Sequence, residues 1–118
     1  MPEMDEWFDD RIGFSEYQGA ARTTAVYPED KAVIYPALGL AGEVGEVCEK
    51  IKKVIRDKGG DFSVVREDLI KELGDVCWYL ANLAFDLNID LGEVARTNLK
   101  KLSDRKARGV IQGSGDDR

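Results

Sequence analysis

Four stretches of the chain place apolar residues at a spacing of three and four, the period of an amphipathic helix. The first opens at Ser15, which with Gln18 three residues later reads as a capping box, and runs to about Thr24. The second runs from about Pro36, a residue tolerated in a first helical turn, to Lys58, where Gly59-Gly60 gives the stop signal. Its stripe is Leu40, Val44, Val47, Cys48, Ile51, Val54 and Ile55. The third runs from near Ser63 to Leu87, with Leu69, Leu73, Val76, Leu80, Leu83, Ala84 and Leu87 on one face. After the turn Asn88-Ile89-Asp90, Asp90 and Glu93 cap a fourth helix to about Ala107, striped by Leu91, Val94, Ala95 and Leu102. Alternating strand patterns are nearly absent. The expected fold is therefore all-α, a helical bundle.

Three segments follow from this reading. Residues 1–13, with five acids against one Arg, read as an arm whose Trp7 and Phe8 can dock on the body. Residues 14–108 form the helical domain. Residues 109–118 form a Gly-rich, charged tail, open to wrapping phosphate with its backbone N–H groups or to being a loose end.

The polar faces carry the chemistry. On a wheel of about 100° per residue, Glu43 falls roughly 60° from the centre of the second stripe and Glu46 roughly 120°. Glu72 and Asp75 repeat those offsets on the third helix. Four carboxylates beside one packing seam repel one another and carry a desolvation cost unless something neutralises them. A hard divalent cation with oxygen ligands does so. The other reading is a pair of solvated flanks tied by Glu46–Lys50 and Glu49–Lys53 ion pairs.

Composition narrows the choice. In 118 residues there is no histidine, so triads, Cys–His dyads and His-based zinc sites are excluded. Cys48 and Cys77 do not make a disulfide scaffold, suit a reducing cytoplasm, and read as core residues. A net charge of −6 argues against a nucleic-acid polymer or an anionic membrane as partner. No apolar run is long enough to span a bilayer.

The run LGLAGEVGEVCEKIKK at 38–53 and the ELGDVCWYLANLA run at 72–84 resemble the MazG-like all-α nucleoside triphosphate pyrophosphohydrolases. The likeness extends through EVARTNLKKLSDRKARG at 93–109 and, upstream, through FSEYQ and Arg22. The family pattern, ExxE on one helix and ExxD on the next, falls on Glu43/Glu46 and Glu72/Asp75. Some members carry a further Glu before the ExxE; here that position is Gly42.

The resemblance implies a four-to-five-helix bundle completed by dimerisation or higher homo-oligomerisation. It also implies cytoplasmic, Mg²⁺-dependent hydrolysis (Mn²⁺ substituting) of an NTP or dNTP between the α and β phosphates, for nucleotide-pool control. Glu43, Glu46, Glu72 and Asp75 are the expected metal ligands, with Glu43 or Glu46 as the base for the attacking water. Asn98 is implied to face the ligand. Lys101 and Arg105 extend roughly its face and Lys53 lies on the acidic flank of the second helix; all three are candidate phosphate contacts. Gln18, Tyr27 and Tyr79 are candidates for the base or ribose. Trp78, opposite the third stripe, suggests a second packing surface. Two alternatives stay open: a non-enzymatic helical adaptor with an acidic seam, and a phosphoribosyl-ATP pyrophosphohydrolase on the same fold.

Overall fold

The computed structural model describes residues 10–118, so Trp7, Phe8 and the rest of 1–9 lie outside the described residues. Four α-helices follow in order, α1 (Phe14–Arg22), α2 (Ile34–Asp57), α3 (Arg66–Asp86) and α4 (Leu91–Ala107), with no strand among the described residues. Short 3₁₀ turns at Glu29–Lys31 and Phe62–Val65 lead into α2 and α3. The helix α3 is the axis of the fold: α2 packs along it, and α1 lies on it while also touching the start of α4.

The termination signals behave as read. Gly59 and Gly60 take φ of 61° and 79°, and Gly60 N–H reaches back to the Val54 carbonyl, closing α2. Asp90 caps α4 by accepting from Gly92 N–H.

The start of α1 differs. Its cap is Gly13 with no side-chain bond. Ser15 and Gln18 are not a capping box; they are long-range connectors. Ser15 Oγ donates to Asp90 Oδ1 at 2.7 Å. Gln18 is buried and its amide donates to the carbonyls of Ala81 (3.1 Å) and Ile89 (2.9 Å) while accepting from Leu91 N–H (3.0 Å). One side chain thus joins α1, α3 and the α3–α4 turn. The local sequence is compatible with a cap, but a buried amide needs partners, and the Ala81 and Ile89 carbonyls and the Leu91 N–H supply them.

The helix α2 begins two residues earlier than the proline implied. Its entry is a γ-turn centred on Val33 (φ 69°, ψ −55°), closed by Ile34 N–H on the Ala32 carbonyl at 2.7 Å. A β-branched residue there costs about 1–3 kcal/mol and persists only if its surroundings hold it. They do: Val33 N–H donates to Asp86 Oδ2 at 2.9 Å.

The packing face of α3 departs furthest from the sequence pattern. Its buried residues are Ala81, Asn82 and Ala84. Trp78, read as facing outward, instead packs on the core of Ala21, Ala81 and Leu91, and its Nε1 donates to Thr24 Oγ1. Of the expected stripe, Leu73 (52% exposed), Leu80 and Leu87 face out, whereas Ala84 is buried and Leu69, Val76 and Leu83 are half-buried. Cys48 and Cys77 are likewise exposed free thiols, not core residues. The small residue Ala81 packs against Ala21 of α1, while Leu73, Leu80 and Leu87 lie on a part of α3 that neither α1 nor α2 buries.

Candidate metal and phosphate site

Because α2 and α3 lie side by side, one turn of each brings carboxylates together. Ligand-capable oxygens of Glu43, Glu72 and Asp75 lie within 4.8 Å of one another. Burial, then the charge of Asp75, a hydrogen bond with Glu72 and the charges of Glu72 and Glu46 push the Glu43 carboxyl above its usual range. Burial and the neighbouring like charges both disfavour the ionised form. Lys50 Nζ stands 3.8 Å from Glu72, bridging the two helices. Neither Glu46–Lys50 nor Glu49–Lys53 pairs as the sequence suggested; Lys52 takes Glu49 at 3.0 Å. Glu46 is exposed and outside the three-residue cluster, though its charge is felt at Glu43. Lys53 is exposed on the α2 surface.

The donor set suits a hard cation. Three carboxylates offer only oxygen, leave room for water and substrate oxygens, and include no thiol or imidazole that would favour a softer metal.

Next to the carboxylates lies an aromatic cluster. Tyr79 follows Asp75 by one turn, and burial first, then Tyr35, Glu43 and Asp75, raise its phenol pKa. Its ring lies 6.3 Å from that of Tyr35 and 5.0 Å from that of Trp78. Tyr35 stacks on Tyr27 at 4.9 Å with 21° between the planes. Gly39 makes this possible: a Cβ there would sit 2.1 Å from the Tyr79 ring. Nothing in the local sequence distinguishes Gly39 from Gly42 or Gly45, which have open space.

Tyr27 is also tied into the frame. Its hydroxyl donates to Asp86 Oδ2 at 2.6 Å and accepts from Arg22 at 2.7 Å. Arg22 in turn pairs with Asp86 Oδ1 at 2.7 Å, and Asp86's side chain is only 2% exposed. Burial alone would raise the Asp86 pKa, but the bonds from Tyr27, Val33 N–H and Arg22 outweigh it and hold the carboxyl below its usual range. Asp86, Tyr35 and Gly39 were not singled out in the sequence as site residues. The single available signal was Asp86 at the buried end of α3, where a charge demands partners.

The helix α4 presents the cationic groups. Asn98 is exposed, not an amide needing an internal partner, and with Glu93, Thr97 and Lys101 it lines an open groove of about 470 Å³. Lys101 is half-exposed, while Arg105 is buried and bonded to the tail. Gln18 and Tyr27 have their polar atoms committed to the fold, whereas Tyr79 borders the carboxylates.

Residues 36–110 match the family described as the MazG nucleotide pyrophosphohydrolase domain. The chain is also 50% identical over 109 residues to the Gene 37 protein of Mycobacterium phage L5, covering 86% of this chain and 96% of that one. No solved structure matches it significantly.

Proposed function

The chain belongs to the MazG nucleotide pyrophosphohydrolase family, and from that premise we propose that it cleaves nucleoside triphosphates between the α and β phosphates. The observation that carries the reading is the convergence of Glu43, Glu72 and Asp75 within 4.8 Å. No stabilising role explains three carboxylates held together at the cost of a raised Glu43 pKa.

In this reading Glu43, Glu72 and Asp75 hold Mg²⁺ or Mn²⁺, with Glu46 on the outer edge of the site. When bound, the cation offsets the acidic field, polarises phosphate oxygens and lowers the pKa of a coordinated water. The residues supply the rest. Glu43 is the base that takes the proton of the attacking water at a carboxylate oxygen. Lys50 steadies Glu72 across the helix pair. Tyr79, kept in place by Gly39, borders the site where base or ribose lies. The exposed faces of Asn98, Lys101 and Lys53 and the guanidinium of Arg105 are the donors for the phosphate tail.

The chain works as a homo-oligomer, dimer or tetramer. The described residues have a radius of gyration of 17.0 Å, against about 13 Å for a self-contained domain of that size. Leu73, Leu80, Val44 and Ile55 are left exposed along α2 and α3. Light scattering is expected to give a multiple of 13.1 kDa.

The test is product analysis. Purified protein is incubated with a panel of NTPs and dNTPs with Mg²⁺, and with EDTA as control. Monophosphate plus pyrophosphate, abolished by EDTA, is the expected result. Orthophosphate release, or turnover unaffected by EDTA, contradicts it.

A further inference from the structure

The last ten residues are built as a strap on α4. Gly113 (φ 132°) and Gly115 (φ 87°) let the backbone reverse; a Cβ at Gly113 would also press on Arg118 at 3.1 Å. Arg118 locks the loop on itself, donating to the carbonyls of Val110 (3.1 Å), Gly115 (2.6 Å) and Ile111 (2.9 Å). Arg105 ties the loop to the helix through the Asp116 carbonyl at 2.7 Å and the Gly115 carbonyl at 3.4 Å.

Two features of this junction do not serve the fold alone. The Arg105 side chain is 6% exposed, yet its Nε is buried with no hydrogen-bond partner among the described residues. A guanidinium so placed lacks one acceptor. The acidic side chain of the strap, Asp116, lies 3.4 Å from both Lys101 Nζ and Arg105 Nη2, at the long end of hydrogen-bond range, and is 86% exposed. Arg105 is well fixed by its backbone bonds, Lys101 is half-exposed beside it, and the carboxylate on the two is loosely held.

We propose that Lys101 and Arg105 form an anion site whose resting occupant is the chain's own Asp116 carboxylate, displaced when a phosphate or pyrophosphate group arrives. The strap is then a built-in competitor of the anion. Displacement moves only the exposed carboxylate, because the bonds from Arg105 to the Gly115 and Asp116 carbonyls and the Arg118 lock stay in place. A tetrahedral phosphate offers more acceptor oxygens than a carboxylate. The regulatory meaning of the site rests on the pyrophosphohydrolase reading; the existence of the site does not.

Calorimetric titration of inorganic pyrophosphate into the full-length protein, in metal-free buffer, isolates α4 from the carboxylate cluster. Asp116→Asn removes the competing charge but keeps the backbone bonds, and the exposure of that side chain leaves the core untouched. Asp117→Asn, an equal change of net charge one residue away, is the control. Asp116→Asn is expected to bind pyrophosphate about two- to fivefold more tightly than the natural chain, the range of an exposed ion pair. Asp117→Asn is expected to match the natural chain, and adding Lys101→Ala to Asp116→Asn is expected to abolish the gain. An Asp116→Asn protein that binds no more tightly overturns the proposal, as does an equal gain in Asp117→Asn or no pyrophosphate binding in either. Turnover of nucleotides by the natural chain is followed in parallel. Loss of the functional reading shows as no turnover, while the pyrophosphate titration still decides the anion site.

Discussion

Asp86 and Glu43 are both acids at the α2–α3 pairing, and they are treated in opposite ways. Asp86 is surrounded by donors: Arg22, Tyr27 and the strained Val33 N–H. Its pKa is lowered despite burial. Glu43 is surrounded by acids, and its pKa is raised. A carboxylate whose charge is answered from within the chain is structural. One whose charge is aggravated from within the chain is waiting for something from outside it. The contrast separates frame from site without reference to any relative.

The comparison is broken most severely at Asp86. Asp86→Asn leaves Arg22 without its counter-charge and weakens the hold on the Val33 turn. The expected loss is about 3–5 kcal/mol, the range for breaking a buried pair. Thermal melts check it, and a change under 1 kcal/mol would remove Asp86 from the frame. Glu72→Gln is expected to do the reverse. It should lower kcat/KM by more than about 100-fold, since even outer-shell partners of a metal cost 10–100-fold, while the fold stays intact. Steady-state kinetics beside a melt separates the two effects.

The two acids also predict opposite responses to pH in metal-free protein. Asp86 has a lowered folded pKa, so its contribution is present above the unfolded value near 3.9 and is lost as pH falls through the folded one. Glu43 has a raised folded pKa, so its ionisation costs stability as pH rises through the usual Glu range. Glu43→Gln is therefore expected to raise the Tm of the metal-free protein at neutral pH and to flatten its dependence on pH above about 4. A drop in Tm would show that Glu43 is held by favourable contacts after all.

Smaller effects sharpen the boundary. Gly39→Ala must displace the Tyr79 ring, and overpacking of this kind costs about 1–3 kcal/mol. It should disturb substrate binding along with stability, whereas Gly42→Ala, in open space, should not. Lys52→Ala removes the exposed pair with Glu49 and is expected to change stability by less than about 1 kcal/mol.

Helix number, type and stop signals were legible in the sequence because they depend on short-range spacing: Gly59-Gly60 and Asp90 act within a turn of themselves. The approach of the two acidic pairs was legible because ExxE and ExxD lie on one side of consecutive helices that pair; that Asp75 joins Glu43 and Glu72 while Glu46 stays outside was not. What was not legible depends on which faces meet. Trp78 and the Leu73/Leu80 positions exchange roles because Ala81 meets Ala21 of α1 and Trp78 packs beside them, a choice no single-helix pattern contains. Gln18 reads equally well as a cap residue, a base contact or a buried clamp until Ala81, Ile89 and Leu91 are brought to it. Asp86 and Arg22 are sixty-four residues apart, and Asn98 gives no sequence sign of whether a neighbour covers it.

The central claim is that the acidic cluster is a divalent-cation site, and Mn²⁺ binding followed by electron paramagnetic resonance tests it most directly. The natural chain is expected to bind Mn²⁺ saturably, with Mg²⁺ competing, and Glu72→Gln is expected to lose that binding while remaining folded. Equal binding by both proteins, or none by the natural chain, would contradict the account.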